Sequence, residues 1–247
     1  MRTRRRYNVG VAAAVAAGGA GALGLVAAGM LDERFGPAFQ ALTVFAVLFA
    51  GVLHVAADDH PHTRVGPANY VTAARAALVA VIAGAVGYPA TPGDLWTLLL
   101  LAILASALDG VDGWLARRTR MTSVFGARFD METDALLILV LAVLVWQHDK
   151  AGAWVLACGL MRYGFVAAGW FWPGLARPLR STWRGKAVAV GQTLGLSMAL
   201  APMLPGRLSA LVAACALAAL TWSFALDIRW LWRQSQGDHQ RTTLPGS

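Results

Sequence analysis

Four aspartates interrupt an otherwise apolar stretch in a pattern that can do chemistry. Asp109 and Asp112 are three residues apart, and Asp130 and Asp134 are four apart. Residues at those separations share one face of a helix, so each pair presents two carboxylates together. The connection between the pairs is short, which makes their helices antiparallel neighbours and places both pairs at one depth. Four converging carboxylates repel one another strongly where the dielectric is low. Such a cluster persists when cations neutralise it or some of the acids are protonated. An all-oxygen ligand set selects hard cations such as Mg²⁺, Mn²⁺ or Ca²⁺. Four aspartates suffice for two ions about 3.5–4 Å apart, the spacing used in phosphoryl transfer.

The intervening residues suit the same chemistry. Gly113 and Gly126 carry no side chain, so a phosphate or a helix can approach closely. Arg117 follows on from the first acid pair and can grip a phosphate in a bidentate fork. The competing explanation is a set of interfacial charges paired with Arg117, Arg118 and Arg128. Paired helical spacing, repeated twice and accompanied by two glycines, argues against it.

These acids need elements to position them, and the composition says which kind. Of 247 residues, 57% are hydrophobic and 14% charged, against about 25% charged in an ordinary soluble domain. Mean hydropathy is +0.56. Apolar runs recur at about the 20-residue length that crosses a bilayer as a helix. Eight spans are expected, over residues 8–30, 37–57, 69–88, 94–117, 123–147, 151–172, 187–204 and 208–231. The first could be read as a signal peptide, but its apolar run exceeds the usual 7–15 residues, so a retained helix is expected. Helix breakers fall between spans, as in Gly87-Tyr88-Pro89 and Pro202-Met203-Leu204-Pro205-Gly206. The fold class is therefore all-α, a polytopic membrane helical bundle.

The net charge of +8 does not signal nucleic-acid binding, because the basic residues fall at helix ends and not on one face. With eight spans, nearly all of them lie on one side, from Arg2, Arg4, Arg5 and Arg6 to Arg229 and Arg233, while Arg34, Lys150 and Arg207 lie on the other. Positive loops stay in the cytoplasm, which puts both termini and the acids on the cytoplasmic side of the inner membrane. Cys158 and Cys215 sit in apolar segments as small hydrophobes. His54, Asp58, Asp59, His60 and His62 lack strict ligand spacing and are expected to form a solvated loop. Trp146, Trp170, Trp172, Trp222, Trp230 and Trp232, near span ends, suit an interfacial aromatic belt.

The run Asp109-x-x-Asp112-Gly113-x-x-Ala116-Arg117, eight residues, then Gly126-x-x-x-Asp130-x-x-x-Asp134 resembles the signature of the CDP-alcohol phosphatidyltransferase family at all its fixed positions. The resemblance implies a six-helix core over residues 67–233, preceded by two extra helices within 1–66 and followed by a polar tail, 234–247. It also implies a homodimer and a Mg²⁺ or Mn²⁺ site, with two ions held by Asp109, Asp112 and Asp130. Asp134 would be the general base and would also touch a metal. Gly113, Ala116, Gly126 and Arg117 would hold the nucleotide end of a CDP-linked lipid such as CDP-diacylglycerol, whose phosphatidyl group passes to a hydroxyl acceptor as CMP leaves.

Further matches extend the expected substrate-binding set. Pro67-Ala68-Asn69-Tyr70-Val71-Thr72-Ala73-Ala74-Arg75 is similar to the opening of the family's first core helix, so Asn69, Thr72 and Arg75 are expected to face the nucleotide. Asn69 would equally serve as a helix N-cap. Arg162 lies inside an apolar span, where a charge is costly and usually functional. By resemblance it would serve the acceptor end, although Tyr163 follows it where relatives using glycerol phosphate often carry Glu. Lys186 is the best acceptor-phosphate candidate of its basic loop. Glu132, two residues from both Asp130 and Asp134, points away from their face. The alternative to a transferase is a transporter or cation channel using the acids as an ion site. Such sites usually lie at the midplane of repeated halves, and the sequence has no internal repeat.

Overall fold

The computed structural model describes residues 35–56, 67–119, 124–171 and 182–242. Among these residues the protein is all-helical. The helices are α1 (Phe35–Ala56), α2 (Pro67–Gly84), α3 (Pro92–Thr119), α4 (Val124–Gln147), α5 (Ala157–Phe171), α6 (Trp183–Leu200) and α7 (Gly206–Thr242). The expected first span, 8–30, and the loop carrying Asp58, Asp59, His60 and His62 lie outside the described residues.

Among the described residues, two helices are long and apolar enough to cross a membrane, at Pro92–Leu115 and Gly206–Trp230. Only 28% and 17% of their apolar windows are buried, unlike the mostly buried core helix of a soluble protein. Leu100, Ile103 and Leu104 of α3 and Leu208, Leu211 and Trp222 of α7 face outward. An apolar surface of that extent suits lipid.

The core runs along the bundle through Val79, Ile82, Ala102, Leu141, Leu144, Val145, Leu196 and Leu200. Small residues let the helices approach closely, as in α2, where Ala73, Ala76, Ala77, Ala80 and Ala83 are buried. Where α5 meets α4, a Cβ on Gly159 would lie 2.5 Å from Leu139 Cα. Packing that tight leaves no room for any side chain but hydrogen.

The expected span 151–172 begins differently. Residues Ala153–Leu156 form a 3₁₀ turn, and the α-helix starts only at Ala157. Asp149, in the left-handed region at φ 53°, turns the chain before it. At the far end α7 continues through Thr242, past the end of its apolar stretch. Asn69 is not an N-cap: α2 starts at Pro67, where the missing N–H costs no helical bond, so Asn69 is already inside the first turn.

The end of the bundle remote from the acids is fastened by side chains. Gln147 Nε2 donates to the carbonyls of Ala85 (3.4 Å) and Tyr88 (2.7 Å), and its Oε1 accepts from Gly87 N (2.6 Å). Gln40 donates to the carbonyls of Ala83 and Val86, both at 3.1 Å, which docks α1 on the end of α2. Lys150 Nζ donates to the carbonyls of Ala201 (3.1 Å) and Leu204 (2.8 Å). These bonds fasten carbonyls at helix ends and turns, of which those of Ala83, Ala85 and Ala201 also accept a turn N–H.

Candidate active site

Three helices build the acidic site. α3 carries Asp109 and Asp112 near its C-terminal end, and α4 carries Asp130 and Asp134 in its first half. α2 packs against both of them. Its Thr72 and Arg75, three residues apart on one face, project between the two acid pairs.

One guanidinium organises the cluster. Arg75 Nη1 lies 3.1 Å from Asp109 Oδ1, 2.8 Å from Asp112 Oδ2 and 2.5 Å from Asp130 Oδ1. Its Nη2 donates to Asp134 Oδ1. Thr72 Oγ1 donates to the same Asp112 oxygen at 2.9 Å. The side chains of Arg75 and Asp112 are 1% and 4% exposed, whereas those of Asp109, Asp130 and Asp134 are 34%, 40% and 39% exposed. The site is thus closed beneath Arg75 and Asp112 and open over the other three acids, the side from which a substrate can enter.

The donor set suits a hard divalent cation. One carboxylate oxygen from each of Asp109, Asp112 and Asp130 lies within 4.8 Å of the others. An octahedral Mg²⁺ with bonds of 2.0–2.1 Å places opposite oxygens about 4.2 Å apart and neighbouring ones about 2.9 Å apart, so these three are near enough to draw in around one ion. Mn²⁺, with the same oxygen preference, fits as well.

The other expected residues separate into two groups. Gly113 follows Asp112 directly, and Gly126 is one turn before Asp130 on α4, so both flank the acids. Asn69 precedes Thr72 by three residues on α2 and Ala116 and Arg117 extend α3 beyond Asp112; the side chains of these three lie outside the described residues. Arg162 and Lys186 are placed elsewhere. Arg162 Nη2 pairs with Glu132 Oε1 at 2.5 Å, and Glu132 is on the flank of α4 away from Asp130 and Asp134, as its two-residue offset requires. Lys186 is exposed on the first turn of α6.

Two features escaped the sequence. Arg184 pairs with Asp227 at 2.5 Å, tying α6 to α7; the signal was a single acid in the apolar run of α7, which must find a cation. The second is the convergence of all four acids on Arg75. An arginine inside an apolar helix signals a buried partner, but one sequence does not say which of several acids that partner is.

Residues 66–225 match the family described as CDP-alcohol phosphatidyltransferase. Among curated proteins, the chain is similar to a CDP-diacylglycerol--glycerol-3-phosphate 3-phosphatidyltransferase of Bacillus subtilis (strain 168), at 38% identity over 23% of this chain and 29% of the relative. A protein of the same description from Yersinia pestis (strain Pestoides F) is 41% identical over 22% of this chain and 31% of its own. Another, from Cereibacter sphaeroides, is 33% identical over 25% and 28%. The similar segment spans less than a third of each of these relatives. No solved structure matches. The extent of the family match, together with four acids at the family's spacing gathered around one point, places this chain in the CDP-alcohol phosphatidyltransferase family.

Proposed function

We propose that this protein is an integral membrane transferase that moves a phosphatidyl group from a CDP-alcohol, such as CDP-diacylglycerol, to a hydroxyl acceptor, releasing CMP in phospholipid biosynthesis. The observation that carries this reading is the meeting of Asp109, Asp112 and Asp130 oxygens within 4.8 Å at the partly open mouth of a three-helix site. Bound Mg²⁺ or Mn²⁺, two ions in the full reading, would neutralise the diphosphate and the charge that develops on it.

The chain's own residues divide the remaining work. Asp109, Asp112 and Asp130 are the ligands, with Asp112 held in place by Thr72. Asp134 takes the proton of the acceptor hydroxyl and also borders the metal site. The acceptor oxygen bonds to the lipid-side phosphorus, and the bond from that phosphorus to the CMP oxygen breaks. Gly113, Ala116 and Gly126 leave space for the nucleotide, and Asn69 and Arg117 bind its phosphates. Arg162 and Lys186 belong to the acceptor side, α5 and α6. Most of the rate comes from positioning and charge neutralisation.

The wider architecture in this reading is a six-helix core, α2 to α7, with two N-terminal helices before it. It lies in the cytoplasmic membrane with the acids facing the cytoplasm, and two copies form a homodimer. The apolar outer faces of α3 and α7 and the family likeness support the membrane setting.

The test is an assay of the purified protein with CDP-diacylglycerol, Mg²⁺ or Mn²⁺ and separate acceptors: glycerol phosphate, inositol phosphate, serine and neutral polyols. Metal-dependent CMP release with one of these is the expected result. No CMP with any acceptor, alongside ion flux in liposomes, would replace the transferase with a channel or transporter.

A further inference from the structure

We infer that Arg75 is a displaceable internal cation, which holds the four catalytic-site carboxylates together in the metal-free protein and must leave them when divalent cations bind. The inference rests on the metal-site reading above and goes beyond it by giving Arg75 a competitive role.

The geometry makes occupancy exclusive. Nη1 sits where three carboxylate oxygens converge, at 3.1, 2.8 and 2.5 Å from Asp109, Asp112 and Asp130. These are the same three acids whose oxygens can close on a metal. A Mg²⁺ bonded to them at about 2.0–2.1 Å would take the position of Nη1. The guanidinium and the ion cannot both stand there.

Charge gives the same answer. A guanidinium offsets one of four negative charges, whereas two divalent cations offset all four. With two ions bound, Arg75 becomes a surplus positive charge beside them, and at low dielectric that contact is repulsive. Among the described residues its polar partners are those acids alone: Nη1 and Nη2 make its ion pairs, and Nε is buried without a hydrogen-bond partner. An arginine fastened through its tip alone can swing about its methylene stem. The open side lies over Asp109, Asp130 and Asp134, so a displaced guanidinium moves toward the place where a diphosphate enters and can grip it there.

A binding experiment needing no turnover tests this. Mn²⁺ alone is titrated into the full-length protein in nanodiscs, with free Mn²⁺ read by electron paramagnetic resonance. Thermal unfolding is followed in parallel with and without Mn²⁺. Arg75→Met should bind Mn²⁺ about ten- to hundredfold more tightly than wild type, the scale of a lost charge-assisted competitor. It should also melt lower without metal and gain more from Mn²⁺. Arg75→Lys, which keeps the charge without the fork, should fall between the two and serves as the folded comparison if Arg75→Met does not assemble. Mn²⁺ affinity unchanged or weakened in the variants that fold would overturn the inference. A transferase assay that fails while Mn²⁺ affinity rises would count against the proposed reaction and leave the competition standing.

Discussion

At the residue scale, the four acids are equal in type but not in setting. Asp112 is buried and held by Thr72 and Arg75, while Asp134 borders the open side and meets only the second guanidinium nitrogen. In the proposed mechanism Asp112 is a metal ligand and Asp134 the general base. Asp134→Asn should lower kcat by about 10²–10⁴, the range for a lost general base, with CDP-lipid binding largely intact by equilibrium titration. Full turnover in that variant would remove the base role. Thr72→Val keeps the side-chain shape and deletes the hydrogen bond to Asp112. Partners that orient a metal ligand matter about 10–100-fold, so half-maximal activation should need correspondingly more Mn²⁺ while saturating kcat changes less. The acids and their pairing were legible because helical spacing is a local property. The convergence on Arg75 was not, because it depends on how α2 rotates against α3 and α4. The partner of Arg162 was hidden for a related reason: a charge inside an apolar helix demands one, but spacing alone did not show that Glu132 pairs with it across the helix interface.

At the element scale, the site depends on helices that pack through small residues. Gly159 touches the α4 backbone, whereas Gly164, on the same helix, has nothing within 4 Å of where a Cβ would sit. Gly159→Val should therefore destabilise the bundle by about 1–3 kcal/mol through overpacking. Gly164→Ala should be neutral or stabilising by up to about 1 kcal/mol, since alanine is the better helix former. Thermal unfolding in one detergent compares them, and equal behaviour would mean that the α4–α5 contact is not tight. Among the described residues, helix positions other than the start of α5 and the end of α7 were readable to within about four residues, because apolar runs and Gly/Pro breaks are strong local signals. The 3₁₀ entry to α5 was hidden, since Ala153–Leu156 is as apolar as the helix it precedes. The fastening of turns by Gln40, Gln147 and Lys150 was hidden too, because each joins residues more than 40 positions apart.

At the scale of the whole molecule, the acids sit at one end of the bundle and the side-chain clamps at the other. The orientation proposed here puts the acid end in the cytoplasm. In a background with Cys158 and Cys215 replaced, Lys186→Cys should react with a membrane-impermeant maleimide only after the cells are permeabilised. Arg207→Cys, exposed at the start of α7, should react from outside in intact spheroplasts; the reverse pattern would invert the topology. The arginine asymmetry made this expectation available from sequence, since it sums over the whole chain and needs no contact to be known.

In the proposed function, Asp109, Asp112, Asp130 and Asp134 form one metal-dependent phosphoryl-transfer site. Its most direct test is CMP release from CDP-diacylglycerol by the purified protein, titrated with Mn²⁺, for wild type and each single Asp→Asn variant in the presence of the accepted alcohol. Release should vanish with chelator and return with Mn²⁺, and every variant should lose at least about a hundredfold. Metal-independent release, or near-wild-type release from any of the four variants, would contradict it.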